Sequence, residues 1–150
     1  EKRSEDDYIK EDDKRDKWVR SLCEDNREVD ERDYSIVNQT SLTLLEMSDK
    51  EIQTILRHIT NDDLVMAMIE LPGRVRARIF DNTSTRLARM LAEDVMCKGK
   101  VTLSEVEKSC VNIMRTVIKL EAEGEIAHHN LTVQKFVIGV YDVPNSVLRR

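Results

Sequence analysis

The sequence predicts an all-α domain built from four to five short helices that are joined by tight turns. Two capping boxes, Ser48–Glu51 and Thr102–Glu105, each precede apolar residues at helical spacing. Gly and Pro residues separate the helical segments. Phe80 is the only aromatic residue between positions 36 and 135, so we expect a core of Leu, Ile, Val and Met.

The first two predicted helices follow each other closely. The box Ser48-Asp-Lys-Glu51 opens one, whose apolar positions are Ile52, Ile55, Leu56 and Ile59. Thr60-Asn-Asp-Asp63 opens the next, and its buried face is predicted to hold Leu64, Ala67, Met68 and Leu71. Pro72-Gly73 ends it, because proline and glycine interrupt helices.

Three further helices complete the predicted domain. A short one contains Val75, Ile79 and Phe80 and ends near Asn82. The next is capped by Asn82 or Ser84 and runs to about Cys97, before Gly99. The longest begins at Thr102-Leu-Ser-Glu105 and ends at Gly124, and its buried stripe is Val106, Cys110, Ile113, Val117 and Leu120. Arg74, Arg76 and Arg78 spread over more than half of a helix circumference, which favours a solvated face.

Charge is concentrated at the N-terminal end. Residues 1–33 contain 9 Lys or Arg and 14 Asp or Glu, which accounts for the whole net charge of −5. Such a composition favours a solvated, partly helical arm, and the alternative is a linker or docking helix. We therefore expect an arm over 1–35, a helical domain over 36–126 and an extension over 127–150. The extension contains a short β-like run at Phe136–Tyr141, and the start at Glu1 suggests a longer parent protein.

Composition argues against several classes of function. A pI of 5.3 disfavours nucleic acid and anionic membranes as partners, and no apolar run approaches a membrane span. Cys23, Cys97 and Cys110 are odd in number and widely spaced, which suits reduced thiols inside a cell. Metal-ligand spacings, phosphate-binding glycine loops and nucleophile motifs are missing. We therefore expect no catalytic residues, no metal, no cofactor and no small-molecule substrate.

The predicted helix over 83–97 has two distinct faces. At 100° per residue its apolar side consists of Leu87, Ala88, Leu91 and Val95. The opposite stripe contains Arg86, Arg89 and Glu93, with Asp94 at its edge beside Met90. Periodicity alone does not separate a solvated face with ordinary ion pairs from a charged surface that binds a partner.

Five segments in register identify a family resemblance. They are Glu51-Ile-Gln-Thr-Ile-Leu-Arg57, Asn82-Thr-Ser-Thr-Arg86, Met90-Leu-Ala-Glu-Asp94, Val101-Thr-Leu-Ser-Glu-Val-Glu107 and Leu120-Glu-Ala-Glu-Gly-Glu-Ile126. Together they resemble the C-terminal domain of the bacterial flagellar motor switch protein FliG over roughly residues 45–126. The resemblance implies a right-handed, armadillo-like stack of short helices in the cytoplasmic ring of the flagellar rotor, peripheral to the inner membrane.

The resemblance also implies a site. In that family a ridge of charges faces the stator protein MotA and transmits torque, and by position its arginine falls on Arg86 and its acids on Glu93 and Asp94. Further implied partners are the rotor proteins FliM and FliF and neighbouring FliG copies.

This sequence departs from the family at several ridge and hinge positions. Ile69 stands where the family has a ridge lysine, and Thr102 where it has a second arginine. Asn38-Gln-Thr-Ser41 stands in place of an aromatic hinge motif. Ile69 and Arg89 are therefore candidates for an altered contact. The alternative function is a helical adaptor that binds another protein and does not contact the stator.

Overall fold

The computed structural model describes residues 17–25, 27–30, 32–33 and 35–127, and every regular element in these ranges is a helix. Helix α1 covers residues 17–23. Six helices follow: α2 (Ile36–Glu46), α3 (Asp49–Leu56), α4 (Asn61–Glu70), α5 (Gly73–Asp81), α6 (Thr85–Cys97) and α7 (Leu103–Ala122). The predicted all-α class is confirmed. The β-like run predicted at Phe136–Tyr141 lies outside the described residues.

Side-chain caps start the helices where the sequence predicts. The Ser48 hydroxyl accepts a hydrogen bond from the Glu51 N–H at 3.2 Å, and the Glu51 carboxylate accepts one from the Ser48 N–H at 3.0 Å. Hydroxyl caps also begin three other helices, with Thr60 for α4, Ser84 for α6 and Thr102 for α7. Each cap satisfies an otherwise unpaired backbone donor and stabilises its helix by about 1 kcal/mol.

Helix α7 forms the centre of the fold. It packs against α4, α2 and α3, and the whole predicted stripe from Val106 to Leu120 is buried. Gly124 adopts φ +76°, a conformation that favours glycine. There the Gly124 N–H donates to the Glu121 carbonyl at 3.1 Å and the Glu125 N–H donates to the Leu120 carbonyl at 2.9 Å. This pair of bonds is a Schellman motif, so the predicted end of the helix is confirmed.

Helix α2 is an element that the sequence patterns did not predict. Four of its polar side chains are buried: Gln39, Thr40, Ser41 and Thr43. The three hydroxyl groups donate to carbonyls one turn earlier, as Thr40 does to Ile36 at 2.6 Å and Thr43 does to Gln39 at 2.8 Å, and the Gln39 amide donates to the Asp33 carbonyl at 2.6 Å. Because these bonds satisfy the polar groups locally, a polar helix can be enclosed between α5 and α7.

The solvated face expected for the arginines of α5 is wrong for Arg76. This side chain is only 7% exposed, although Arg74 is exposed as expected. Its guanidinium group donates to three backbone carbonyls, those of Met68 at 2.6 Å, Ile69 at 2.8 Å and Leu22 at 3.0 Å. Burial lowers the pKa of Arg76 from its usual value. Periodicity missed this site because the acceptors belong to other elements.

Part of the acidic N-terminal segment packs on the domain. Leu22 is 7% exposed and belongs to the core cluster, and Trp18, Val19 and Cys23 pack partly against it. Most of the charged side chains in the described part of this segment point to solvent. The boundary at residue 35 between arm and domain stays a prediction.

We predict that Arg76→Met lowers the free energy of unfolding by roughly 2–4 kcal/mol, because three enclosed carbonyls lose their donor. The matched control is Arg74→Met, two residues earlier on the same helix, which should stay within about 0.5 kcal/mol of the parent. Urea unfolding followed by circular dichroism at 222 nm measures both. Equal stabilities of the two variants would contradict the assigned role of Arg76.

A second prediction concerns Cys110, which is fully buried on α7. Burial raises the pKa of its thiol to about 12, and a hydrogen bond with Thr40 opposes that shift in part. Above the ordinary thiol pKa of 9.0 the unfolded chain releases this proton while the folded chain keeps it. The free energy of unfolding should therefore fall between pH 9 and 12, and that of Cys110→Ala should fall less steeply. If the free energies of unfolding of the two proteins fell in parallel over this pH range, the folded state would not protect the Cys110 thiol from ionisation.

Candidate functional site

Helix α6 places the charged residues that the resemblance singles out. The Ser84 hydroxyl caps the helix by accepting from the Leu87 N–H at 3.1 Å. Its inner face packs on α4 and buries Ala88, Leu91, Ala92 and Val95. Leu87 is half-buried at the margin of this face. The apolar side predicted for the helix is therefore confirmed, and the orientation of α6 follows from it.

The outer face of α6 carries Arg86, Met90, Glu93 and Asp94, which we call the α6 ridge. All four side chains are exposed, and Met90 is 44% exposed. Arg86, Met90 and Glu93 follow one another at steps of four and three residues, and Asp94 is one turn after Met90. Arg86 and Glu93 are thus about 10 Å apart along the helix axis.

The charges of the α6 ridge face water. Within the described part of the chain, no side-chain hydrogen bond or ion pair joins Arg86, Glu93 or Asp94 to another residue. A partner would therefore meet one cation and two anions without first breaking an internal pair. The apolar Met90 between them offers a flexible contact surface in the middle of the charges.

Arg89 differs from Arg86 although the helical wheel puts both in one stripe. Its side chain is half-buried, whereas Arg86 is exposed. The structure therefore separates the two arginines that periodicity had grouped. Met90 is the residue that the sequence reasoning undervalued, and its position on the same wheel could have revealed its exposure.

The two positions that depart from the family both have contacts within the fold. The Thr102 hydroxyl accepts from the Glu105 N–H at 3.2 Å and caps α7. Ile69 is half-buried against the core on α4, the helix on which α6 packs. Its neighbour Val65 is only 3% exposed. Met66 is half-buried like Ile69, so these three residues do not form an exposed apolar patch.

The described residues offer little for small-molecule chemistry. Among them no group of three His, Cys, Asp or Glu side chains could hold a metal ion. A cavity of about 220 Å³ lies between the N-terminal segment and α2, α4 and α7. It is lined by Arg27, Glu28, Asp33, Asn38, Glu70 and Leu103 among others. This volume lies below the usual range of roughly 300–1,000 Å³ for ligand sites. No helix in the described ranges has the length and apolar composition needed to cross a membrane.

Comparison with known proteins finds a family model and relatives that are similar to this chain over most of the described helices. The model of the FliG C-terminal domain matches residues 39–127. The flagellar motor switch protein FliG of Pseudomonas aeruginosa is 32% identical over 108 residues, which cover 70% of this chain and 32% of that protein. FliG of Borreliella burgdorferi is 38% identical over 80 residues, covering 53% of this chain and 23% of that protein. FliG of Thermotoga maritima is 32% identical over 83 residues, covering 55% and 25%.

The chain spans about a third or less of the length of these relatives. No solved structure matches it. The match to the family model includes α3 to α7 completely, so it contains the α6 ridge and the helices that support it.

The half-buried state of Ile69 leads to a prediction about charge at this position. Ile69→Lys should lower the free energy of unfolding by about 1 kcal/mol, because a lysine stem can cover the apolar surface while its ammonium group reaches water. Val65→Lys, one turn earlier on α4, should cost several kcal/mol because its charge would be enclosed. Thermal unfolding of both variants measures the difference. If the two variants were equally unstable, Ile69 would be as enclosed as Val65.

Proposed function

This chain belongs to the family of FliG C-terminal domains, and we propose that it works as the C-terminal part of a flagellar motor switch protein in the rotor. The observation that carries the proposal is the match of the family model over residues 39–127, which includes the whole α6 ridge. In this proposal the domain is a non-enzymatic element that transmits force through protein contacts.

The α6 ridge is the proposed contact with the stator protein MotA. Its support is the exposure of Arg86, Glu93 and Asp94 on one face of a helix whose other face is fixed to α4. Exposed ion pairs contribute at most about 1 kcal/mol each and are screened beyond about 8 Å at physiological salt. Contacts of this kind form and break readily, which suits a surface that meets one stator after another as a rotor turns.

The remaining partners follow from the same family relation. We propose that the domain assembles with the rotor proteins FliM and FliF and with neighbouring copies of the switch protein, on the cytoplasmic side of the inner membrane. Its contact with the membrane is then indirect, through the rotor. The acidic pI of 5.3 supports this arrangement, because an anionic lipid surface would repel the chain.

A helical adaptor is the second candidate function, and two substitutions favour it. The ridge lysine and second arginine of the family are replaced by Ile69 and Thr102. Thr102 caps α7 and Ile69 packs against the core, so both residues have structural contacts. An adaptor would keep the helical stack and bind a protein other than MotA. Stator binding separates the two functions.

We predict that reversing the ridge charges abolishes or strongly reduces motility without unfolding the domain. Arg86→Glu and Asp94→Lys should each impair swimming in a flagellated host that carries this gene as its only copy. The variants change exposed residues, so their stabilities should stay within about 0.5 kcal/mol of the parent. Swimming in soft agar, protein level and crosslinking to MotA measure the outcome.

The matched control is Lys108→Glu, a charge reversal at an exposed position of α7 that should leave swimming unchanged. Normal swimming of an Arg86→Glu/Asp94→Lys double variant at unchanged protein level would contradict the stator contact. Loss of binding to a different protein, with MotA crosslinking absent in the parent as well, would establish the adaptor function instead.

A further inference from the structure

The end of helix α1 lies on the junction between α4 and α5. The last carbonyls of any helix have no partner within that helix, and a nearby cation is favourable there. At the end of α1 the Arg76 Nη1 donates to the Leu22 carbonyl at 3.0 Å. Two residues past the helix, the Asp25 carbonyl accepts from the Gly73 N–H at 3.1 Å. The Arg76 guanidinium group and the first residue of α5 thus both donate hydrogen bonds to backbone carbonyls at or just after the end of α1.

Gly73 shows how closely the two backbones approach. A Cβ atom added there would lie 2.4 Å from the Cys23 carbonyl oxygen and 2.6 Å from the Asp25 carbonyl oxygen. Both distances are far shorter than ordinary contacts, and both atoms belong to the N-terminal segment. A side chain at position 73 would therefore clash with the docked N-terminal segment. The clash would be relieved if that segment moved away from α5.

Few apolar contacts hold this segment. Leu22 is the one buried apolar side chain among the described residues before α2, and Trp18, Val19 and Cys23 are only partly buried against the core. The segment also makes hydrogen bonds to backbone, including one from Arg27 Nη2 to the Leu71 carbonyl at 3.2 Å. Helix α7 by contrast buries ten residues. Segments with few buried apolar contacts open at a lower free energy than the core to which they attach.

We propose that the α4–α5 junction is a docking site for the end of α1, from which α1 releases as a unit while α2–α7 stay folded. At this site Arg76 and Gly73 donate hydrogen bonds to the docked segment, and the buried Leu22 side chain is its apolar anchor. Docking fixes the position of Lys17, the first described residue, relative to the domain that carries the α6 ridge. This inference does not depend on the identity of the ridge's partner.

Trp18 provides a specific signal, because it is the only tryptophan in the chain and is half-buried on α1. In the full-length chain, acrylamide quenching of Trp18 should rise at a lower urea concentration than the loss of helical signal at 222 nm. If the two transitions coincide, α1 is an integral part of the domain and the proposal is overturned.

Gly73→Ala tests the site, with Gly99→Ala as the matched control. A Cβ at Gly99 meets nothing within 4 Å, so the control should behave as the parent does. Gly73→Ala should increase tryptic cleavage after Arg20 by roughly tenfold or more and raise quenching of Trp18, while the transition at 222 nm remains cooperative. Cleavage and quenching equal to those of Gly99→Ala would overturn the proposal.

Leu22→Ala covers the case in which Gly73→Ala fails to fold. Loss of the anchor should release Trp18 and expose Arg20 to trypsin while α2–α7 keep their cooperative transition. If Leu22→Ala also destroys the helical signal together with the Trp18 signal, α1 does not release separately and the proposal is overturned.

Discussion

The burial of one face of α7 against α4 and α2 is the contact on which the rest of the structure depends. The helix is 20 residues long and ten of them are buried, eight of which are apolar, so it provides a largely apolar surface for the shorter helices. Polar bonds fix the register of α4 on this surface, because the Asp63 carboxylate accepts from the Ser109 hydroxyl at 2.9 Å. Helix α6 packs in turn on α4. The position of the α6 ridge is therefore set through α4 by a helix that contributes no residue to it.

Several buried side chains donate hydrogen bonds to backbone carbonyls. The hydroxyl groups of α2 bond to carbonyls of their own helix, and Arg76 bonds to carbonyls of three residues in other elements. Such partners are available wherever a helix ends or turns, so no matching side chain is required. This explains how a chain with only 40% apolar residues encloses a polar helix and an arginine within one core.

The ridge and the core have opposite physical characters on the same helix. The inner side of α6 is held by small and branched apolar residues, while Arg86, Glu93 and Asp94 remain solvated. Substitution of those three residues should therefore change folding stability little. Ile69 and Thr102 illustrate the reverse, since Ile69 packs against the core and the Thr102 hydroxyl caps α7.

Local sequence patterns predict the capped starts of α3, α4 and α7, the end of α7 and most of the buried apolar residues of α3 to α7. Hydroxyl caps at Ser48, Thr60 and Thr102 and the φ +76° of Gly124 depend on neighbours within a few residues, so they can be predicted from the chain alone. The solvated outer side of α6 follows from the same periodicity.

Only the tertiary structure decided which charged and polar residues are enclosed. Arg76 is buried and Arg74 is exposed, although both lie on α5, because carbonyls from α4 and from the end of α1 meet only at Arg76. Arg86 is free to solvent and Arg89 is half-buried because neighbouring elements cover one side of α6. Helix α2 escaped prediction because four of its six buried residues are polar, which obscures an apolar period. In each case the determining partner is distant in sequence, and periodicity carries information only about near neighbours.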